Sequence, residues 1–139
     1  MPVMPLSAGQ AEIMPDKRTA PVRVLVVEDE MMVAMLVEDM LTDLGYEVVT
    51  VATGMNSAIE HAERTEFDLA ILDLNLNGEK SYPVAEALRT RNVPFLFATG
   101  YGEGALPENF RDVPTLQKPF VSGQLKYAID SLVTERIGD

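Results

Sequence analysis

Glu28, Asp29, Asp73 and Lys118 each stand at the end of a short apolar run, where a β-strand would finish. Glu28 and Asp29 follow VRVLVV, Asp73 ends LAILD, and Lys118 follows the run over 113–117. Carboxylates crowded in one crevice repel each other, and their pKa values rise unless a cation balances them. A hard cation with oxygen ligands resolves the repulsion, and Mg²⁺ suits phosphate chemistry best. These residue types therefore predict magnesium-assisted phosphoryl transfer with Asp73 as the nucleophile.

These side chains meet only if the strands before them are parallel and end at the same edge of a sheet. Short β-branched runs alternate with segments of helical period from Val22 onward, and this order predicts an α/β fold with a doubly wound, five-stranded parallel sheet of the flavodoxin-like kind. Thr99 ends the fourth strand and joins the same edge. The predicted strands are 22–27, 47–51, 69–73, 94–99 and 113–117, and the predicted helices are 30–44, 56–64, 82–91 and 122–135. We expect Asn56 and Ser122 to cap the second and last helices.

The connection Gly100–Asp112 is the weakest part of this pattern. A helix is expected between the last two strands, but three glycines occur in the first five residues of the connection, and glycine weakens a helix by about 1 kcal/mol each relative to alanine. The sequence therefore predicts a short or disordered fourth helix, with at most one or two turns around Pro107–Phe110. We expect this segment to be the most mobile part of the domain. The alternative is an ordered loop held by Phe110 and Tyr101.

Composition limits the classes of protein to consider. The 139 residues contain no cysteine and carry a net charge of −11, which excludes thiolate chemistry and argues against a nucleic-acid partner. No apolar run has the roughly 20 residues needed to cross a bilayer, and no signal peptide is apparent. We therefore expect a cytoplasmic protein without a membrane partner. Residues 1–21 have four prolines and no period, which predicts a flexible tail before one domain over 22–139.

Four motifs over residues 22–135 together resemble one known family. VLVVEDE, LAILDLNLNGE, FATG and LQKPF occur in this order, and the combination is similar to response-regulator receiver domains. The resemblance implies that Asp73 is the phosphoacceptor and that Mg²⁺ is the cofactor. It also implies that Asp29 is a direct metal ligand, that Glu28 acts through water, and that Asn75 supplies a backbone carbonyl.

The resemblance also implies a switch around the phosphoacceptor. Thr99 corresponds to the switch hydroxyl, and Lys118 to the family's lysine, whose bond to Pro119 is expected to be cis. The family's switch aromatic would fall at Thr115, and Tyr101 is the candidate to replace it. Phe-Ala-Thr-Gly followed by tyrosine resembles an atypical receiver subgroup.

The function implied is that of a two-component response regulator. A sensor histidine kinase or phosphotransfer protein would donate its phosphoryl group to Asp73, and output would pass through protein contacts, since no output domain is expected after Glu135. Such a chain catalyses its own phosphotransfer and dephosphorylation but is not a turnover enzyme. One alternative is a receiver-like binding module that works without phosphorylation. Another is a phosphatase of the haloacid-dehalogenase kind, which would need an aspartate where Asn75 stands.

Overall fold

The computed structural model describes residues 20–100 and 104–137 of the chain. Its apolar runs form strands and its amphipathic runs form four α-helices, as their periods predict. In chain order the elements are β1 (Arg23–Val27), α1 (Met31–Asp43), β2 (Glu47–Ala52), α2 (Met55–Arg64), β3 (Leu69–Asp73), β4 (Asn75–Leu76), β5 (Glu79–Lys80), α3 (Tyr82–Thr90), β6 (Phe95–Thr99), a 3₁₀ turn (Glu108–Phe110), β7 (Thr115–Gln117) and α4 (Ser122–Ile137).

Five of these strands form one parallel sheet in the order β2-β1-β3-β6-β7. The chain first adds a strand on one side of β1 and then continues on the other side, so the direction of winding changes between β1 and β3. Ligands of doubly wound sheets bind at such a reversal, beyond the carboxyl ends of the strands. The predicted flavodoxin-like fold is therefore confirmed.

Apolar side chains from both faces of the sheet build two cores. In β1, Leu25 and Val27 point into the layer that holds α2 and α3, whereas Val24 and Val26 point into the layer that holds α1 and α4. All five residues of β3 are buried, as expected for a central parallel strand covered on both faces. The central strands are therefore held firmly, and their ends have defined positions.

The end of α1 follows directly from one glycine. Gly45 has a φ of +94°, a left-handed conformation that glycine adopts without strain. The backbone N–H groups of Gly45 and Tyr46 donate to the carbonyls of Thr42 and Leu41 at 3.0 and 2.9 Å, which satisfies the last turn of the helix. The helix predicted over 30–44 therefore ends within one residue of its expected position.

Both predicted helix caps are wrong. Helix α2 begins one residue earlier than predicted, so that Gly54 occupies the cap position and Asn56 lies inside the helix. Helix α4 begins at Ser122 itself, and the Gln124 side chain accepts a hydrogen bond from the Val121 N–H at 2.9 Å. The capping role therefore belongs to a side chain within the first turn.

The polar loop after β3 contains a small hairpin that the sequence reading missed. Strands β4 and β5 pair antiparallel, and Asn77 and Gly78 between them have φ values of +52° and +88°. Two consecutive left-handed residues form the tight turn that asparagine–glycine pairs favour. The hairpin therefore has a sequence signal, and it fixes the segment that directly follows Asp73.

The connection between β6 and β7 contains one 3₁₀ turn, as predicted for Pro107–Phe110. Phe110 is only 1% exposed, and the Arg89 side chain donates to the Asn109 carbonyl at 2.6 Å. These contacts favour the ordered-loop alternative for this part of the connection, and its mobility stays a prediction. Tyr101 and its two following residues lie outside the described part of the chain, as do residues 1–19 of the predicted tail.

None of the helices in the described ranges has the length and apolar character needed to cross a membrane.

Candidate functional site

Three carboxylates meet where β1 and β3 end. Glu28 and Asp29 directly follow β1, and Asp73 is the last residue of β3. One oxygen of each lies within 4.8 Å of the other two. Glu28 and Asp73 are only 3% and 4% exposed. The predicted convergence of these three side chains therefore occurs, and two of them are almost fully buried.

Lys118 brings a positive charge to these carboxylates. Its Nζ lies 3.3 Å from an oxygen of Glu28 and 3.3 Å from an oxygen of Asp73. Its backbone N–H donates to the Thr99 carbonyl at 2.8 Å, which joins the ends of β6 and β7. The Lys118–Pro119 bond is cis, as expected. The ends of four strands therefore contribute to one site.

Backbone N–H groups orient each carboxylate. Asp73 accepts from Asn75 at 3.2 Å, Glu28 accepts from Glu30 at 3.1 Å, and Asp29 accepts from Asn77 at 3.1 Å. Asn77 can do so because its left-handed backbone turns the hairpin back over β1. The hairpin thus holds a carboxylate 48 residues earlier in the chain.

Ser81 holds the backbone of Asp73 in place, and the sequence alone did not predict this role. The residue precedes α3 and is fully buried. Its hydroxyl donates to the Asp73 backbone carbonyl at 2.7 Å, which fixes the end of β3. A serine before a helix normally indicates a cap, so only the folded chain reveals this role.

The site carries more negative than positive charge. With all groups ionised, three carboxylates face one ammonium group. Burial and the neighbouring Glu28 raise the pKa of Asp73 to about 7, against the opposing effects of the Asn75 N–H and Lys118. Asp73 therefore takes up a proton near neutral pH unless a further cation enters the site.

Asp29 and Lys118 stay ionised at neutral pH. Partial burial alone would raise the pKa of Asp29, but hydrogen bonds from the Asn77 backbone and from Asp73 outweigh it and lower the pKa. Burial alone would lower the pKa of Lys118, but the charges of Asp73 and Glu28 outweigh it and raise the pKa. At neutral pH the site therefore holds one ammonium group that stays charged, whereas Asp73, with a pKa of about 7, gains or loses its proton close to this pH.

The donor set fits Mg²⁺. Each Mg–O distance is about 2.1 Å, so two oxygens on opposite sides of the ion are about 4.2 Å apart. The three carboxylate oxygens span a similar distance, and all of them are the hard ligands that Mg²⁺ prefers. Glu28, Asp29 and Asp73 could therefore hold the ion with small adjustments. Asn75 lies beside them through its N–H, and a role for its carbonyl stays a prediction.

The predicted switch residues are only partly brought to the site. Thr99 lies one residue beyond Ala98, which pairs with Asp73 across β3 and β6, so it borders Asp73. Thr115 is exposed on β7, and it offers no aromatic ring. Tyr101, the proposed substitute, falls outside the described residues.

Comparisons with known proteins agree with this geometry. The model of the response regulator receiver domain matches residues 24–130. The transcriptional regulatory protein PdtaR of Mycobacterium tuberculosis strain H37Rv is 32% identical over 82% of the chain, which spans 58% of PdtaR.

Solved structures are similar as well. SdrG of Sphingomonas melonis Fr1 is 43% identical, with a TM-score of 0.74 over 81% of this chain and 97% of SdrG. SdrG in a BeF3-activated conformation is also similar, at 43% identity and a TM-score of 0.70 over 80% of this chain and 95% of that one. The family match, the sheet order and the acidic site agree, and the chain belongs to the response regulator receiver domains of two-component signalling systems.

Proposed function

We propose that the protein accepts a phosphoryl group on Asp73 in a Mg²⁺-dependent reaction and passes the signal on through protein contacts. The observation that carries the proposal is the meeting of three carboxylates and Lys118 at the ends of parallel strands. A buried, charge-crowded site of this kind lowers the stability of the fold and is hard to explain as a structural feature alone. The arrangement suits a carboxylate that takes part in a reaction while a cation is bound beside it.

The residues have separate tasks in the transfer. A carboxylate oxygen of Asp73 attacks phosphorus, so an O–P bond forms while the bond from phosphorus to the donor nitrogen breaks, and the donor histidine keeps that electron pair. The Asn75 N–H and Lys118 hold the two Asp73 oxygens in position. Lys118 and the Thr99 hydroxyl then contact phosphoryl oxygens. When bound by Glu28, Asp29 and Asp73, Mg²⁺ supplies the positive charge that those oxygens require.

The partner that donates the group is a sensor histidine kinase or a phosphotransfer protein. The chain itself accelerates both its phosphorylation and the later hydrolysis, and it is not a turnover enzyme. A cytoplasmic location agrees with such partners. SdrG has a BeF3-activated conformation, and we propose that beryllofluoride can likewise occupy the position of the phosphoryl group in this chain.

The test is labelling of the purified chain with acetyl phosphate, with and without Mg²⁺, followed by mapping of the modified residue. We expect one metal-dependent adduct on Asp73 and none in Asp73→Asn, because the amide keeps the shape but not the nucleophile. Asp43→Asn, a change of the same type at the far end of α1, is the matched control and labels like the wild type. Full labelling of Asp73→Asn would overturn the proposal. A chain that stays unlabelled by both acetyl phosphate and kinases would point to a phosphorylation-independent binding module.

A further inference from the structure

Helix α1 exposes an apolar strip that is not part of the acidic site. Six large apolar side chains are exposed in the described part of the chain, and four of them lie on this helix. Their exposed fractions range from 57% to 80%. Methionine side chains adapt to irregular apolar partners. The four residues, here named the methionine face, are Met31, Met32, Met35 and Leu36.

A groove continues the methionine face toward the acidic site. Its volume is about 310 Å³, and Leu36, Met40 and Phe120 contribute to its apolar lining. Glu30 and Lys118 border the same groove. An occupant of the groove would therefore lie directly beside the lysine that contacts Asp73. Apolar surface of this extent on a soluble domain marks a contact site.

The chain carries a segment whose composition fits this surface. Residues 1–19 hold six large aliphatic side chains and three prolines. Prolines favour an extended backbone that exposes its side chains along its length, and such a segment can lie in a shallow groove without forming a helix or strand. The six side chains are Met1, Val3, Met4, Leu6, Ile13 and Met14.

Reach and direction also fit. The described chain begins just before β1, and the Val22 carbonyl accepts a hydrogen bond from Glu47 at 2.9 Å, close to the C-terminal end of α1. From there 19 extended residues span about 60 Å at roughly 3.3 Å each, whereas a helix of 13 residues is about 20 Å long. The segment can therefore run the full length of α1.

The charges of α1 and of residues 1–19 suggest the order in which the segment would contact the helix. Helix α1 has three acidic side chains and no basic one, and Asp39 and Asp43 are exposed in its C-terminal half. Lys17 and Arg18 stand immediately before the described domain, so they would pass these carboxylates first. In that order, Ile13 and Met14 would come next, at the groove, and the residues before them would come to the N-terminal half of the face.

We propose that residues 1–19 dock along the methionine face of α1 in the same molecule, with Ile13 and Met14 in the groove. The tether gives the segment a high local concentration at this surface, so weak apolar contacts suffice. A docked segment would lie beside Glu30 and Lys118, which line the same groove. The inference rests on the apolar surface and the tether, and phosphorylation is not required for it.

The experiment uses the full chain and its lack of cysteine. A Ser7→Cys variant takes a nitroxide label, and NMR of ¹³C-methyl-labelled methionines reports which methyl groups lie near the label. Met31, Met32 and Met35 should broaden strongly. Met55 packs in the opposite layer, against the α2–α3 side of the sheet, and should keep its signal.

Two further variants make the result decisive. Ile13→Asp with Met14→Asp should restore the Met31, Met32 and Met35 signals, whereas Gln10→Asp with Ala11→Asp adds the same charge outside the apolar pair and should leave the broadening intact. Equal broadening of all methionines, unaffected by either pair, would overturn the proposal. A mixture of nitroxide-labelled chains and separate ¹³C-methyl-labelled chains tests the alternative. If the methionine signals broaden only in this mixture, the proposal is overturned and a second copy of the chain is the occupant.

Discussion

Two regions of the molecule use buried groups in opposite ways. Where β1 and β3 end, buried Glu28 and Asp73 lie beside Asp29, and the repulsion among them lowers stability. Beyond β6, where the described part of the connection has a 3₁₀ turn and no α-helix, the Phe110 ring stacks on Tyr82 at 5.4 Å between ring centres. The first region is poised to bind a cation, and the second holds the irregular connection in place. The comparison teaches that apolar ring contacts, which stabilise a fold, and crowded charges, which suit chemistry, are kept in separate regions of this molecule.

The aromatic region also explains how a short connection replaces a helix. Phe110 packs edge-to-face against Phe97 at 5.8 Å, and the Arg89 guanidinium lies 4.9 Å from the centre of the Phe110 ring. One buried ring therefore contacts a strand and a helix at once. Such a contact can hold a segment that has little regular hydrogen bonding of its own.

The largest expected effect comes from Phe110→Ala. Removing a fully buried ring leaves a cavity, so the free energy of unfolding should fall by about 3–5 kcal/mol. Tyr127→Ala is the control, because Tyr127 is 79% exposed and its loss should change stability by no more than about 0.5 kcal/mol. Urea unfolding measures both. Equal, small losses in the two variants would show that the aromatic region does not stabilise the connection.

The next effect concerns the acidic region. Asp29→Ala removes a predicted direct ligand, so the Mg²⁺ affinity should fall at least about tenfold, since even residues that only support metal ligands are worth that much. Calorimetric titration with Mg²⁺ gives the affinity. Asp43→Ala removes a carboxylate from the other end of α1 and should leave the affinity unchanged. An Asp29→Ala protein that binds Mg²⁺ like the wild type would remove Asp29 from the site.

A smaller effect follows from the protonation of Asp73. Its pKa rises from an ordinary value of 3.8 to about 7 in the folded chain. As the pH falls from 8 to 6, the metal-free folded chain therefore takes up a proton that the unfolded chain does not, and the free energy of unfolding should rise by about 1 kcal/mol. Urea unfolding in a chelator at several pH values, compared between wild type and Asp73→Asn, isolates this contribution. If the two proteins depend on pH in the same way, the repulsion is not centred on Asp73.

The smallest effect is expected from Arg89→Ala. Arg89 holds the connection through the Asn109 carbonyl and pairs with Asp112 at 2.9 Å. The Asp112 side chain is 78% exposed, so water screens the pair, and the total loss should be about 1 kcal/mol or less. Amide hydrogen exchange should nevertheless become faster in the connection and stay unchanged in α2. Unchanged exchange near Phe110 would show that the ring alone holds the segment.

The acidic region was predictable because parallel strands end at a common edge. Once Asp73 and Lys118 are placed at strand ends, their meeting with Glu28 follows from the sheet order. The end of α1 was predictable for a different reason, because the glycine at 45 is a local signal for a helix end. The predicted bounds of the helices and strands differ from the observed ones by a residue or two, as is usual where helix ends fray.

Other features depend on contacts between distant residues. The packing of Arg89 on Phe110 and the bond from Ser81 to the Asp73 carbonyl join segments whose sequence shows no sign of the partner. The hairpin at Asn77 did have a local signal, the asparagine–glycine pair. The hydrogen bond from the Asn77 N–H to Asp29, by contrast, joins distant residues and is visible only in the folded chain.

The central claim is that excess negative charge around Asp73 makes the site a Mg²⁺ site. The most direct test is thermal unfolding of wild type and Asp73→Asn, with and without Mg²⁺, with Asp43→Asn as the control. Without metal, Asp73→Asn should melt above the wild type, because neutralising a buried, repelled carboxylate stabilises the fold by about 1 kcal/mol or more. Mg²⁺ should raise the melting temperature of the wild type and of Asp43→Asn by mass action, and that of Asp73→Asn much less. The account would be contradicted if millimolar Mg²⁺ left the melting temperature of the wild type unchanged and if metal-free Asp73→Asn melted below the metal-free wild type.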